Sequence, residues 1–193
     1  MGIPQFNFST LEQLRGILAK AEQLKSPIIL STSQGELNFL GLKEVVALLE
    51  ISKTKYNVPV FLNLDHGKDI SSIKKAIDYG YSAVHFDGSK LSLKENIKLT
   101  KQIVDYAHKR GVIVEGELGH IQGESKLNKV KMIFKKEYLT DVDQVNEFVK
   151  KTKVDSLAIS IGNVHGVYKG RPKIDFTRLK EISDQTNCFL VLH

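Results

Sequence analysis

Short runs rich in Ile, Val, Leu and Phe recur along the chain, and between them apolar positions return every three or four residues. The runs at 4–8, 27–31, 58–64, 82–86, 112–117, 155–161 and 188–192 predict seven strands. Several are apolar on consecutive positions, as expected where both faces of a sheet are covered. The intervening segments predict helices. Leu11, Leu14, Ile17, Leu18 and Ala21 fall on one stripe behind the capping-box spelling Ser9-Thr10-Leu11-Glu12. Ser92 with Glu95 repeats that spelling ahead of a helix of about 15 residues that Gly111 closes. Further helices are predicted at 41–55, 70–79, 141–151 and 176–185.

Strand and helix alternate in one order, the pattern of an α/β fold with parallel strands, and the expected architecture is a TIM (β/α)8 barrel. A dinucleotide-binding sheet would place a Gly-rich turn after its first strand, where this chain has Phe6-Asn7-Phe8-Ser9. Closing a barrel takes eight strands and typically roughly 250 residues. The 193 residues yield seven, so the sequence reads as a barrel cut after its seventh strand. No linker rich in Pro, Gly or Ser divides it, and residues 1–193 are expected to form a single domain. The longest irregular piece, 118–139, has the length of a lid or binding loop.

Composition narrows the function. An apolar fraction of 41% excludes a disordered chain. The net charge of +6 comes from lysines spread along the sequence without interleaved aromatics, which argues against a nucleic-acid surface and suits small anionic substrates. No stretch approaches the ~18–20 apolar residues of a membrane span, and Met1-Gly2-Ile3-Pro4-Gln5 is not the start of a secretory signal. The single Cys188 cannot form an internal disulfide, which points to the cytoplasm.

The ionisable groups collect at strand ends. Asp65 and His66 end the third strand, Asp87 follows the fourth, Glu117 ends the fifth, His165 follows the sixth and His193 ends the seventh. In a parallel barrel these ends share one face, so the six side chains converge. Three His with carboxylates match a catalytic zinc site, which keeps one position open for substrate. Each residue also has a structural reading: Asp87 as a helix N-cap, and His85, His108 and His120 as satisfied histidines. His85 is left unassigned, because its side of the strand depends on the register.

The segments Asn63-Leu64-Asp65-His66-Gly67, His85-Phe86-Asp87-Gly88-Ser89 with Glu95-Asn96 behind it, Val114-Glu115-Gly116-Glu117-Leu118-Gly119 and Ile159-Ser160-Ile161-Gly162-Asn163-Val164-His165-Gly166 carry a resemblance. Together they resemble the class II fructose-bisphosphate aldolase family, which includes the tagatose-bisphosphate aldolases, in order from Phe6 to His193. The resemblance implies zinc-dependent aldol cleavage and condensation of a ketose 1,6-bisphosphate, with dihydroxyacetone phosphate and glyceraldehyde 3-phosphate as products, in glycolysis. It implies His66, His165 and His193 as zinc ligands, Asp65 as the acid/base at the C4 hydroxyl, and Asp87 and Glu117 as contacts to a second or displaced divalent ion. Gly166 matches a backbone contact to dihydroxyacetone phosphate. Asn7 and Ser33, at the ends of the first two strands, are expected to face the same mouth. The resemblance further implies a homodimer or homotetramer, and leaves open an assisting monovalent cation and the choice between fructose and tagatose bisphosphate.

Three departures from the family are visible. The segment before Pro4 is short, and the long loop reads Gly123-Glu124-Ser125-Lys126, with one acidic residue where the family commonly has two. His193 is not followed by the Gly-rich loop and eighth strand that hold the substrate phosphate in the family. The expectation for a chain of this extent is therefore weak or no turnover and a tendency to associate. The competing reading is a non-catalytic barrel remnant that binds a metal or a partner through its open edge.

Overall fold

The computed structural model describes residues 2–121, 123, 136–166, 171 and 173–193. The chain divides into two compact units, Met1–Phe86 with Asp105–Val114, and Asp87–Val104 with Glu115–His193.

The first unit runs β1 (Gln5–Asn7), α1 (Leu11–Leu24), β2 (Ile28–Ser33), α2 (Gln34–Leu40), α3 (Leu42–Lys55), β3 (Val60–Gly67), α4 (Ile70–Asp78) and β4 (Ala83–Phe86). Its strands pair in parallel and in chain order, with Asn7 opposite Ser31, Ser31 opposite Asn63 and Ser33 opposite Asp65. Helix α1 buries Leu14, Leu18 and Ala21, the stripe the spacing predicts. Its N-cap is Thr10, whose hydroxyl accepts from the Gln13 amide, while the Gln13 side chain accepts the Ser9 amide at 2.7 Å. The cap is thus Thr10, and Gln13, one position beyond Glu12, reaches back to the residue before it, so the reciprocal box that the spelling predicts is not formed. Asp69 caps α4 and accepts from both the amide and the hydroxyl of Ser72, which holds its carboxyl below the usual carboxylate range.

The second unit is entered within α5 (Leu93–His108), whose last four residues belong to the first, and again within β5 (Ile113–Leu118). A 3₁₀ turn (Lys136–Tyr138), α6 (Val142–Thr152), β6 (Ser156–Ile159), α7 (Phe176–Gln185) and β7 (Phe189–Val191) follow. Again the strands are parallel, with Glu117 opposite Ala158 and Ala158 opposite Val191. Asp141 and Asp175 cap α6 and α7.

All seven predicted strands are present, and the fold is α/β of the parallel (β/α)-barrel type. Helix α2 was not foreseen. The strands refine the expectation of two apolar faces: Leu62 and Leu64 alternate with Asn63 and Asp65, and Leu157 and Ile159 alternate with Ala158 and Ser160, all of them buried. Successive side chains point to opposite faces, so each unit has one apolar sheet face and one buried face bearing polar groups. Among the described residues no helix is long and apolar enough to cross a membrane.

Candidate active site

The polar face of the first unit gathers around the end of β3. Leu64 pairs with Val84 and Gly67 with Phe86, so Asp65 and His66 together oppose the single residue His85. This is a β-bulge, a device that re-aims side chains. His66 takes a left-handed conformation there, with φ at 50°, uncommon for a residue with a Cβ. Gly67 follows because a Cβ at that position would lie 2.8 Å from the His85 carbonyl and 2.6 Å from Ile73.

Asp65 is nearly buried, and its Oδ2 accepts from Asn7 Nδ2 at 2.9 Å. Its Oδ1 lies 4.0 Å from His66 Nε2 and 3.8 Å from His85 Nδ1. The His66 and His85 rings stand 4.7 Å apart, and the His66 amide donates to His85 Nδ1 at 3.2 Å. Asp65, His66 and His85 each offer a ligand atom within 4.8 Å of the other two. Asn7 also donates to Glu36 Oε2 at 3.2 Å, while Glu36 Oε1 accepts from the Ser9 hydroxyl and Oε2 from the Ser33 amide. Ser33 itself is the N-cap of α2, in a reciprocal capping box with Glu36.

In the second unit the His193 ring meets the Glu115 carboxylate at 2.9 Å, and both side chains are almost fully buried. The His165 ring stands 5.6 Å from that of His193, nearly perpendicular to it. Asn163, also buried, ties the two segments together. Its Nδ2 donates to the His193 carbonyl at 2.9 Å and to the Ile159 carbonyl at 3.2 Å, while its Oδ1 accepts the Ile161 amide at 2.8 Å. Gly162 turns the chain with φ at 101°, and a Cβ there would lie 2.3 Å from the Lys173 carbonyl.

Asp87 and Glu117 offer ligand atoms within 4.8 Å of each other. The Asp87 carboxylate accepts the Ser89 amide at 3.2 Å and the Ser89 hydroxyl at 2.6 Å, so it organises its own turn, and Ser92 caps α5 in the reading the alternative gave to Asp87. Behind that turn, buried Asn96 donates to the Glu117 carbonyl at 2.9 Å and fills the space a Cβ on Gly88 would need. Gly166 is exposed, with φ at 89°. Glu124 lies outside the described residues, as does most of the predicted loop at 118–139.

Within the first unit, then, Asp65, His66, Asn7 and Ser33 are brought together. Within the second, His165 is brought to His193, and Asp87 to Glu117. The reading of single residues passed over Glu36, Glu115 and Asn163 and left His85 without a role. Glu36 carries a local signal in the Ser33-Gln34-Gly35-Glu36 capping spelling, and His85, Glu115 and Asn163 lie within the motif segments without a role read from them. Each unit thus offers imidazoles and carboxylates, donor types that zinc takes at catalytic centres, and a carboxylate against an imidazole, as Glu115 against His193, is the kind of pairing that orients histidines in metal sites.

The sequence matches the fructose-bisphosphate aldolase class-II family over residues 1–193, and the chain belongs to that family. It is 42% identical over 196 residues to a 6-phospho-5-dehydro-2-deoxy-D-gluconate aldolase of Shouchella clausii (strain KSM-K16), a match covering 99% of this chain and 64% of that protein. It is 40% identical over 194 residues to a fructose-bisphosphate aldolase of Geobacillus stearothermophilus, covering 99% of this chain and 66% of the relative. The structure of the YdjI aldolase from Escherichia coli K12 superposes with a TM-score of 0.85 at 35% identity, taking in 100% of this chain and 66% of that one. The chain thus spans about two thirds of the length of the relatives it matches.

Proposed function

We propose that this protein catalyses zinc-dependent aldol cleavage and condensation of a ketose 1,6-bisphosphate, with dihydroxyacetone phosphate and glyceraldehyde 3-phosphate as products, in carbohydrate metabolism. The observation that carries the reading is the Asp65 carboxylate, nearly buried at the β3 bulge and held by the Asn7 amide at 2.9 Å, directly beside His66. In this reading His66, His165 and His193 are the zinc ligands, by their positions in the family's motifs, and Asp87 and Glu117 serve a second or displaced divalent ion. Bound zinc supplies a Lewis acid for the substrate carbonyl. Asp65 takes the proton from the C4 hydroxyl during cleavage and returns it during condensation, as a general base beside the metal should. Asn7 fixes one oxygen of that carboxylate, so the acceptor orbital is aimed before substrate arrives. Glu115 orients the His193 imidazole. The backbone at Gly166 contacts the substrate phosphate. A cytoplasmic setting and a homo-oligomer belong to the same proposal. Cys188 is half-buried, and that burial pushes its thiol up.

The substrate class is tested by incubating the purified full-length protein separately with fructose 1,6-bisphosphate, tagatose 1,6-bisphosphate and 6-phospho-5-dehydro-2-deoxy-D-gluconate, and measuring dihydroxyacetone phosphate with a coupled dehydrogenase. Release from either bisphosphate is the expected result. Cleavage confined to the gluconate would move the substrate to that of the Shouchella relative, and release from none would overturn the reading.

A further inference from the structure

We propose that His85 is a positioning residue: its buried imidazole holds the backbone of His66 in the left-handed conformation that aims the His66 ring. The role of His66 as a metal ligand rests on the function proposed above; the contact between the two residues does not.

The argument begins with the ladder. In a regular parallel pair each inward amide of β3 would find a carbonyl on β4. Between Leu64 paired with Val84 and Gly67 paired with Phe86, β3 has one residue too many, and the ladder is broken at Asp65 and His66. A buried amide left without an acceptor costs much of its desolvation. At His66 the acceptor is a side chain instead, Nδ1 of His85 at 3.2 Å. That imidazole is wholly buried and comes from the one residue of β4 that faces the bulge.

Three features make this a device for orientation. A backbone amide is always a donor, so His85 Nδ1 must present its lone pair and carry its proton on Nε2, which fixes the tautomer. His66 bears a Cβ yet sits at φ 50°, a conformation that persists only where neighbouring contacts over-determine it. The two rings stand 4.7 Å apart at 59°, so the imidazole that binds the amide also walls one side of the His66 ring. Gly67 completes the bulge, since any larger residue would strike the carbonyl of His85 itself. A buried apolar residue at position 85 would fill the same space and take that acceptor away.

The direct test is a trans-hydrogen-bond nitrogen–nitrogen coupling in the ¹⁵N-labelled, zinc-loaded protein. A resolved coupling between the His66 backbone nitrogen and His85 Nδ1 is expected, and its absence would overturn the proposal whatever zinc does. The functional test compares His85→Leu with His85→Asn, whose side-chain oxygen can take the place of Nδ1. By competition against a chromophoric chelator, His85→Leu is expected to bind zinc about 10- to 100-fold more weakly, and His85→Asn to recover most of that loss. Equal zinc affinity in the wild type and both variants would overturn the positioning role. His66→Ala serves as the control on the underlying reading: unchanged zinc affinity in that variant would remove His66 from the ligand set, while the coupling measurement would still decide what His85 does.

Discussion

Replacing Asp65 by Asn is expected to lower kcat for ketose-bisphosphate cleavage by about 10²- to 10⁴-fold, the range a positioned acid/base contributes, with little change in KM or in bound zinc. Asn keeps the shape of the carboxylate and can still accept from Asn7 at the position of Oδ2, so the β3 bulge and the His66 backbone have no reason to move. What it loses is the ability to take up a proton, which in the proposed mechanism comes from the C4 hydroxyl. An interaction that matters only in the transition state shows itself as equal falls in kcat and kcat/KM. A loss confined to KM would mean that Asp65 binds substrate without moving its proton. Asn7→Ala, which removes only the group that orients Asp65, should cost less than Asp65→Asn.

The second large effect is on stability. Phe148→Ala is expected to destabilise the protein by about 3–5 kcal/mol, the usual cost of emptying a buried aromatic site. Phe148 is fully buried on α6, and its ring lies where a Cβ on Gly116 would be, 2.8 Å from that position. Gly116 separates Glu115 from Glu117 on β5, so the ring presses on the stretch of backbone that carries both carboxylates. A stability of ~5–15 kcal/mol is normal for a domain, which makes the loss a large fraction of the whole. Urea unfolding followed by circular dichroism would show it as a lower midpoint, and a shift worth less than about 1 kcal/mol would mean that the cavity collapses or that the ring is not packed as described.

The periodic parts of this fold were legible in the sequence because burial imposes period. The β-branched runs located every strand, and the stripe from Leu14 to Ala21 located α1. Helix α2 escaped because seven residues with only Leu37 buried leave no period to read, although the Ser33 and Glu36 capping pair was there to be seen. The candidate site residues stand out in the sequence through their motifs. Their geometry does not, since it depends on contacts between distant positions. Glu115 meets His193 across 78 residues, and nothing local to either announces it. His85 is the sharpest case. Strand parity would assign its face only for an unbroken ladder, and the extra residue at Asp65-His66 breaks the ladder at that point. The bulge is a product of β3 pairing with β4, so it becomes visible only when the strands are side by side.

The measurement that bears most directly on the proposed chemistry is the metal dependence of cleavage. The protein is stripped with a strong chelator, dialysed free of it, and titrated with zinc while release of dihydroxyacetone phosphate from the ketose bisphosphate and bound zinc are followed together. Loss of turnover on stripping, and its return in proportion to zinc bound, is the predicted result. Turnover that survives complete removal of the metal would contradict the account.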